Sequence, residues 1–120
     1  MKPEHAPEAP FSLSSRFEGG RGSSPEELVG AALSGCFSMA LTASLNKEKL
    51  APRAVRTSAL VHLDKDGDAF KISLIELTTV VELDGLADEK FQAIALETKK
   101  QCPVSRALAG TTVTLKASLG

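Results

Sequence analysis

The stretch SPEELVGAALSGCFSMALTASLN, from Ser24 to Asn46, decides how this chain is read. Ser24 is a helix-capping residue type, Pro25 suits the first helical position, and Glu26 and Glu27 sit where a helix dipole is positive. Glu27 stands three residues after Ser24 and completes a capping-box pattern. The helix predicted from this start runs to about Asn46 or Lys49. Its body is small and apolar on nearly every side, with Leu28, Val29, Ala31, Ala32, Leu33, Phe37, Met39, Ala40, Leu41 and Leu45. A helix apolar all round is buried on most faces, so this one is expected to cross the centre of the molecule.

Upstream, Phe11 to Phe17 alternates apolar and polar residues and is expected to form a short strand. Glu18 to Gly22 reads as a flexible loop, and Met1 to Pro10, with Pro3, Pro7 and Pro10, as a flexible extended lead-in. Downstream, Pro52 ends the helical pattern. Arg53 to Leu63 places Val55, Thr57, Ala59, Val61 and Leu63 on one side, the pattern of a half-buried strand. Asp64 to Asp68 turns the chain, and Ala69 to Leu83 closes an antiparallel hairpin. Asp88 opens a second helix with Phe91, Ile94, Ala95 and Thr98 on its apolar stripe. That helix must stop or kink at Cys102, because Pro103 follows. Cys102 then caps a short helix with proline at its first position, and Thr111 to Leu119 is a last strand. Hairpin strands with separate helices predict an α+β fold, an antiparallel sheet with a long buried central helix and a second helix. Residues 1–120 are expected to make one domain.

Composition narrows the functions. The 14 basic and 15 acidic residues leave a net charge of −1, which offers no electrostatic footprint for nucleic acid or an anionic membrane. Trp and Tyr are absent, which leaves little to stack bases or sugars on. Ser34, Ser38, Thr42 and Ser44 interrupt the most apolar stretch, so no membrane helix is expected. The N-terminus has no apolar signal segment. The expected compartment is the cytoplasm.

Chemistry falls to a few residues. Cys36 lies in the middle of the apolar helix, and a lone cysteine there is most often a small hydrophobe. Its neighbour Gly35 costs about 1 kcal/mol against Ala in a helix, which predicts close approach of a packed strand or a substrate. A reactive Cys36 would need a cation to hold its thiolate, and Arg16 is a candidate. Glu26, ten residues earlier, lies roughly 15 Å along the helix from Cys36 and cannot touch it, but could hold Arg16. Cys102 precedes Pro103 at a helix start, where a thiol ionises more easily, and the alternative is a buried cap thiol. Spacing does not show that the two cysteines meet. With His5 and His62 they lack metal-ligand spacing, so no metal site and no cofactor are expected. The acidic run Asp64 to Asp68 is too short for a calcium loop.

Four segments, taken in order, resemble the OsmC/Ohr family of thiol peroxidases, with the OsmC branch nearer. They are Ser14-Ser15-Arg16-Phe17-Glu18, Ser24-Pro25-Glu26-Glu27-Leu28-Val29-Gly30-Ala31-Ala32, Gly35-Cys36-Phe37-Ser38-Met39-Ala40-Leu41 and Gln101-Cys102-Pro103-Val104-Ser105. The likeness runs from about Phe11 to the C-terminus. It implies a peroxidase of oxidative and osmotic stress defence that reduces organic hydroperoxides. Cys36 would attack the peroxide, Cys102 would close a disulfide with it, Arg16 would activate the thiolate, and Glu26 would position Arg16. It further implies an external dithiol reductant, such as a lipoylated protein, and an intertwined homodimer with apolar sites at the interface. Leu33, Phe37 and Met39 are candidates to line those sites. Leu33-Ser34 stands where many relatives carry His-Ala. Relatives usually begin with a further β-hairpin, and this chain starts at Met1-Lys2-Pro3 instead, which is expected to leave a sheet edge uncovered. The alternative is a catalytically silent domain of the same fold that binds a hydrophobic small molecule.

Overall fold

The computed structural model describes residues 1–120. Met1–Pro10 contains no helix or strand, and Phe11 makes a single bridge to Ser23. Leu13–Phe17 is a short helix, α1, and not the expected strand. Serine chemistry is the reason. The Ser12 hydroxyl accepts from the Ser15 N–H at 2.9 Å, and the Ser15 hydroxyl accepts from the Ser12 N–H at 2.9 Å. These local bonds give the backbone a helical alternative to a ladder. The Ser15 hydroxyl also donates to the Ser23 carbonyl at 2.7 Å, tying α1 to the start of the long helix.

That long helix, α2, spans Pro25–Lys47. The Ser24 hydroxyl accepts from the Glu27 N–H at 3.2 Å. The returning half of the capping box does not form, because the Glu27 carboxylate accepts instead from the Ser23 hydroxyl at 2.8 Å. At the other end Leu50 N–H reaches the Leu45 carbonyl at 3.0 Å and Lys49 N–H reaches Asn46 at 2.9 Å. This is a Schellman closure, with Lys49 at φ 61° where glycine is favoured.

Strands β1 (Ala54–Asp66) and β2 (Ala69–Glu82) form the antiparallel hairpin. The strands run closer together than Asp64 to Asp68 suggested, because Asp66 pairs with Ala69 and only Gly67 and Asp68 turn. Gly67, at φ 64°, supplies the positive φ. A bulge at His62/Leu63 leaves Ser73 unpaired, and its hydroxyl bonds the Asp64 carboxylate. Helices α3 (Asp88–Gln101) and α4 (Pro103–Ala107) follow, then β3 (Thr112–Leu119). The sheet order is β1-β2-β3, and β3 runs parallel to β2. The sheet is therefore mixed and not wholly antiparallel. A helical crossover between β2 and β3 returns the chain to the starting end, which makes the parallel pairing possible.

Register puts the core on one sheet face. Val55, Thr57, Ala59 and Val61 lie opposite Val81, Thr79, Leu77 and Ile75, and those lie beside Leu119, Ala117, Leu115 and Val113. Leu33, Phe37, Leu41 and Leu45 of α2 and Phe91 and Ala95 of α3 fill the layer above. Three hydroxyls cross it, Ser38 to Thr57 at 2.7 Å and Thr57 to Thr79 at 2.9 Å, so the polar groups in the layer satisfy one another.

The close approach falls at Gly30, not Gly35. A Cβ on Gly30 would lie 2.8 Å from Val61 Cγ2, whereas one on Gly35 would meet nothing within 4 Å. Helix α2 is also less enclosed than its composition implies. Its inner stripe is buried, but Leu28, Ala31, Ala32, Gly35, Met39 and Ala43 face outward, with Met39 76% exposed. Contrary to the sequence expectation, α2 is long and apolar enough by length and composition alone to span a bilayer. Here its inner stripe belongs to the core over the sheet.

Candidate active site

Two pairs of predicted site residues come together, and they stand apart from each other. The first is the cysteine pair. Cys36 projects from the middle of α2, half-buried, and Cys102 is fully buried at the junction of α3 and α4. Their sulfurs are 2.6 Å apart across 66 residues of sequence, both as free thiols. The junction is built by Pro103. Helix α3 cannot continue into it, so the backbone opens at Cys102 (φ −54°, ψ 126°), and Pro103 begins α4 at once. Cys102 N–H still closes α3 on the Thr98 carbonyl at 2.9 Å, while the Cys102 carbonyl accepts from Arg106 N–H at 2.9 Å. Cys102 is thus held by both helices.

Thr98 ties this junction to α2, donating to the Ile94 carbonyl at 2.8 Å and reaching the Ser44 hydroxyl at 3.3 Å. The backbone N–H of Val104 donates to the Cys36 sulfur. It is one of the first-turn donors of α4 that no intrahelical carbonyl can take. Burial pushes the Cys36 thiol up, and its hydrogen bond with Cys102 pushes it further, while the Val104 N–H pulls the other way without offsetting them.

The second pair is Arg16 and Glu26. Both Nε and Nη2 of Arg16 donate to Glu26 Oε1, the Nε bond at 2.9 Å. Arg16, 38% exposed, also lies 5.4 Å from the Phe17 ring centroid. Phe17 packs on Phe70 of the hairpin with centroids 4.9 Å apart, which fixes the guanidinium's base. Burial pushes the Glu26 carboxyl up, but hydrogen bonds from Arg16 and from its own backbone, with the Arg16 charge, outweigh it and leave the group below its ordinary value. Glu26 Oε2 is buried without a hydrogen-bond partner. The pair borders a cavity of about 340 Å³ with Gly30, Leu60, Val61 and Leu63.

Glu26 and Cys36 sit about 15 Å apart along α2. No hydrogen bond or ion pair within the chain joins Arg16 to either sulfur. Of the proposed apolar lining, Leu33 and Phe37 are core residues, and only Met39 is exposed. The contribution of the Val104 N–H escaped the sequence reading. Its signal was the Cys-Pro pair itself, which begins a helix and so leaves first-turn donors free beside the cysteine.

A half-buried thiol against a fully buried one, spanned by a helix junction on a two-layer α+β frame, defines a dithiol site. The sequence profile of the OsmC-like protein family matches residues 18–116, and the chain belongs to that family. It is 41% identical over 99 residues to peroxiredoxin OsmC of Escherichia coli (strain K12), a match covering 82% of this chain and 69% of the relative. Among solved structures, the organic hydroperoxide resistance protein OsmC of Legionella pneumophila superposes with a TM-score of 0.66 at 26% identity, covering 93% of this chain and 78% of the other. The organic hydroperoxide resistance protein OhrB of Bacillus subtilis does so with 0.66 at 28%, covering 92% and 79%.

Proposed function

We propose that this protein is a thiol peroxidase that reduces organic hydroperoxides through a Cys36–Cys102 disulfide cycle. The single observation that carries the proposal is the 2.6 Å separation of two free sulfurs from distant parts of the chain. The names of the Escherichia coli and Bacillus subtilis relatives, a peroxiredoxin and an organic hydroperoxide resistance protein, support it. The Cys36 thiolate attacks the peroxide's outer oxygen, the O–O bond breaks, and the alkoxide leaves and takes a proton as the alcohol. Cys36 is then a sulfenic acid. The Cys102 sulfur attacks it, the S–S bond forms, and the hydroxyl leaves as water with the thiol proton. An external dithiol, such as a lipoylated protein, restores both thiols by exchange and is itself oxidised to a disulfide.

Cys36 needs a cation that its own chain does not bring. We propose a homodimer in which Arg16, held by Glu26, reaches the Cys36 of the partner subunit. Three features support this reading. The outward face of α2 is apolar and small, Glu26 Oε2 is buried unpartnered, and Cys36 within one chain is pushed up, away from the thiolate. A cation beside the sulfur lowers a thiol's pKa by about 1–3 units.

The test is hydroperoxide turnover with a dithiol by wild type, Cys36→Ser and Arg16→Met, and by a refolded mixture of the two variants. Turnover absent in each variant and regained in the mixture supports Arg16 acting across the dimer. Variants that stay inactive when mixed place Arg16 and Cys36 in the same chain. Full turnover by Cys36→Ser sinks the peroxidase reading.

A further inference from the structure

A cavity of about 370 Å³ opens between the end of α3, α4 and the start of β3, outside the residues that the peroxide chemistry uses. Lys99, Lys100 and Arg106 line it together with Ser105, Leu108 and Val113, and no acidic side chain does. None of the three cations is in an ion pair, although four other lysine or arginine side chains pair with carboxylates across the molecule. The Ser105 hydroxyl is buried and has no hydrogen-bond partner.

Cations in a last helical turn complement the negative end of a helix, which accounts for Lys99 and Lys100 on α3. It accounts equally for Arg106 in the last turn of α4, but not for the three cations from two helices bordering one space, nor for a buried hydroxyl left without a partner. Buried polar groups are nearly always paired, and an unpaired one beside a cavity marks where a partner atom belongs. Three like charges around one concavity also focus an attractive potential on anions.

We infer that this cavity binds a small oxyanion, a carboxylate or phosphate, carried on a short apolar arm. The oxyanion sits among Lys99, Lys100 and Arg106, and the Ser105 hydroxyl, closed off in its present rotamer, turns about χ1 to donate to it. Leu108 and Val113 take the apolar arm. The volume suits a small molecule and not a macromolecular segment. Ser105 directly follows Val104, whose N–H bonds Cys36, so one short helix borders both the cavity and the thiols.

The test is titration of the full-length protein with octanoate, octanol and inorganic phosphate. It is read by calorimetry and by backbone amide shifts over residues 99–113. Saturable octanoate binding is expected, with weaker phosphate binding and none by octanol. Binding should weaken about tenfold or more in Lys100→Gln/Arg106→Gln, and weaken also in Ser105→Ala. The lysine and arginine are exposed, so that variant should keep its fold, as its amide spectrum will show. Absence of saturable binding, or binding unchanged in the variants, overturns the site. Equal binding of octanol removes the oxyanion, and equal binding of phosphate removes the apolar arm. Both cysteines remain intact throughout and the readout is binding, so this result and that of the turnover experiment are independent.

Discussion

Oxidation of the protein by one equivalent of cumene hydroperoxide should raise its unfolding free energy by about 4 kcal/mol. The magnitude comes from the loop that the bond would close. Cys36 and Cys102 are 66 residues apart. Cross-linking a loop of that length removes roughly 15 cal/mol/K of entropy from the unfolded chain, or about 4 kcal/mol at 25 °C. The native state offers little opposition, because the sulfurs are already adjacent and both helices hold Cys102. For a domain of this length that corresponds to a rise of about 15 °C in Tm. The assay is differential scanning calorimetry of the reduced and the oxidised protein, with intact mass on the same samples. The oxidised sample should have lost two thiols and about 2 Da. Cys102→Ser should show no stabilisation, and its Cys36 should be trapped by a sulfenic acid reagent. A Tm unchanged by peroxide, or a rise of the same size in Cys102→Ser, refutes the reasoning. So does a disulfide that links two chains.

Further outcomes test the surrounding structure. Arg16→Met should move the pH midpoint of Cys36 alkylation upward by about one unit or more, because the cation that holds the thiolate is gone; an unchanged midpoint removes Arg16 from that role. Glu26 is held below its ordinary value, so its stabilising contribution is complete above the usual carboxyl range near 4.5 and disappears as pH falls through the lower folded value. Glu26→Gln should therefore flatten the acid limb of a stability profile followed by guanidinium melts, and an acid limb as steep as wild type refutes the assignment. Gly35→Ala should stabilise the isolated fold by up to about 1 kcal/mol, whereas Gly30→Ala should lose that gain and more against Val61. In sedimentation experiments Gly35→Ala should also weaken self-association if the outward face of α2 meets its partner. Lys49→Gly should stabilise the protein by about 0.5–1 kcal/mol by relieving the positive φ at the Schellman closure, read as a shift in the melting midpoint.

Much of this molecule is legible in its sequence, and the boundary is physical. The start of α2, the hairpin, the α3 stripe and the break at Cys102-Pro103 all follow from local rules. Capping, alternation, helical period and proline sterics each act over a few residues. The misread segments are those where local alternatives were nearly balanced or where the partner lies far away. Phe11 to Phe17 has a strand's alternation, but serine hydroxyls convert it to a helix. Gly35 and Gly30 are equivalent as helix glycines, and only the position of Val61 on β1 tells them apart. The pairing of β3 depends on where the crossover returns the chain.

By itself, then, the sequence determined the element order, the apolar character of α2, and the two cysteines with Arg16 and Glu26 as the residues with chemistry to offer. Periodicity and resemblance both act along the chain, so they could carry that much. Tertiary structure alone decided that Val104 N–H reaches the sulfur and that Arg16 stays clear of the Cys36 of its own chain, and it put in contact the two pairs, Cys36–Cys102 and Arg16–Glu26, that the resemblance only implied. Those contacts join residues brought together only when α2, α3 and α4 pack over the sheet, and burial and distance are properties of that packing, not of any local segment.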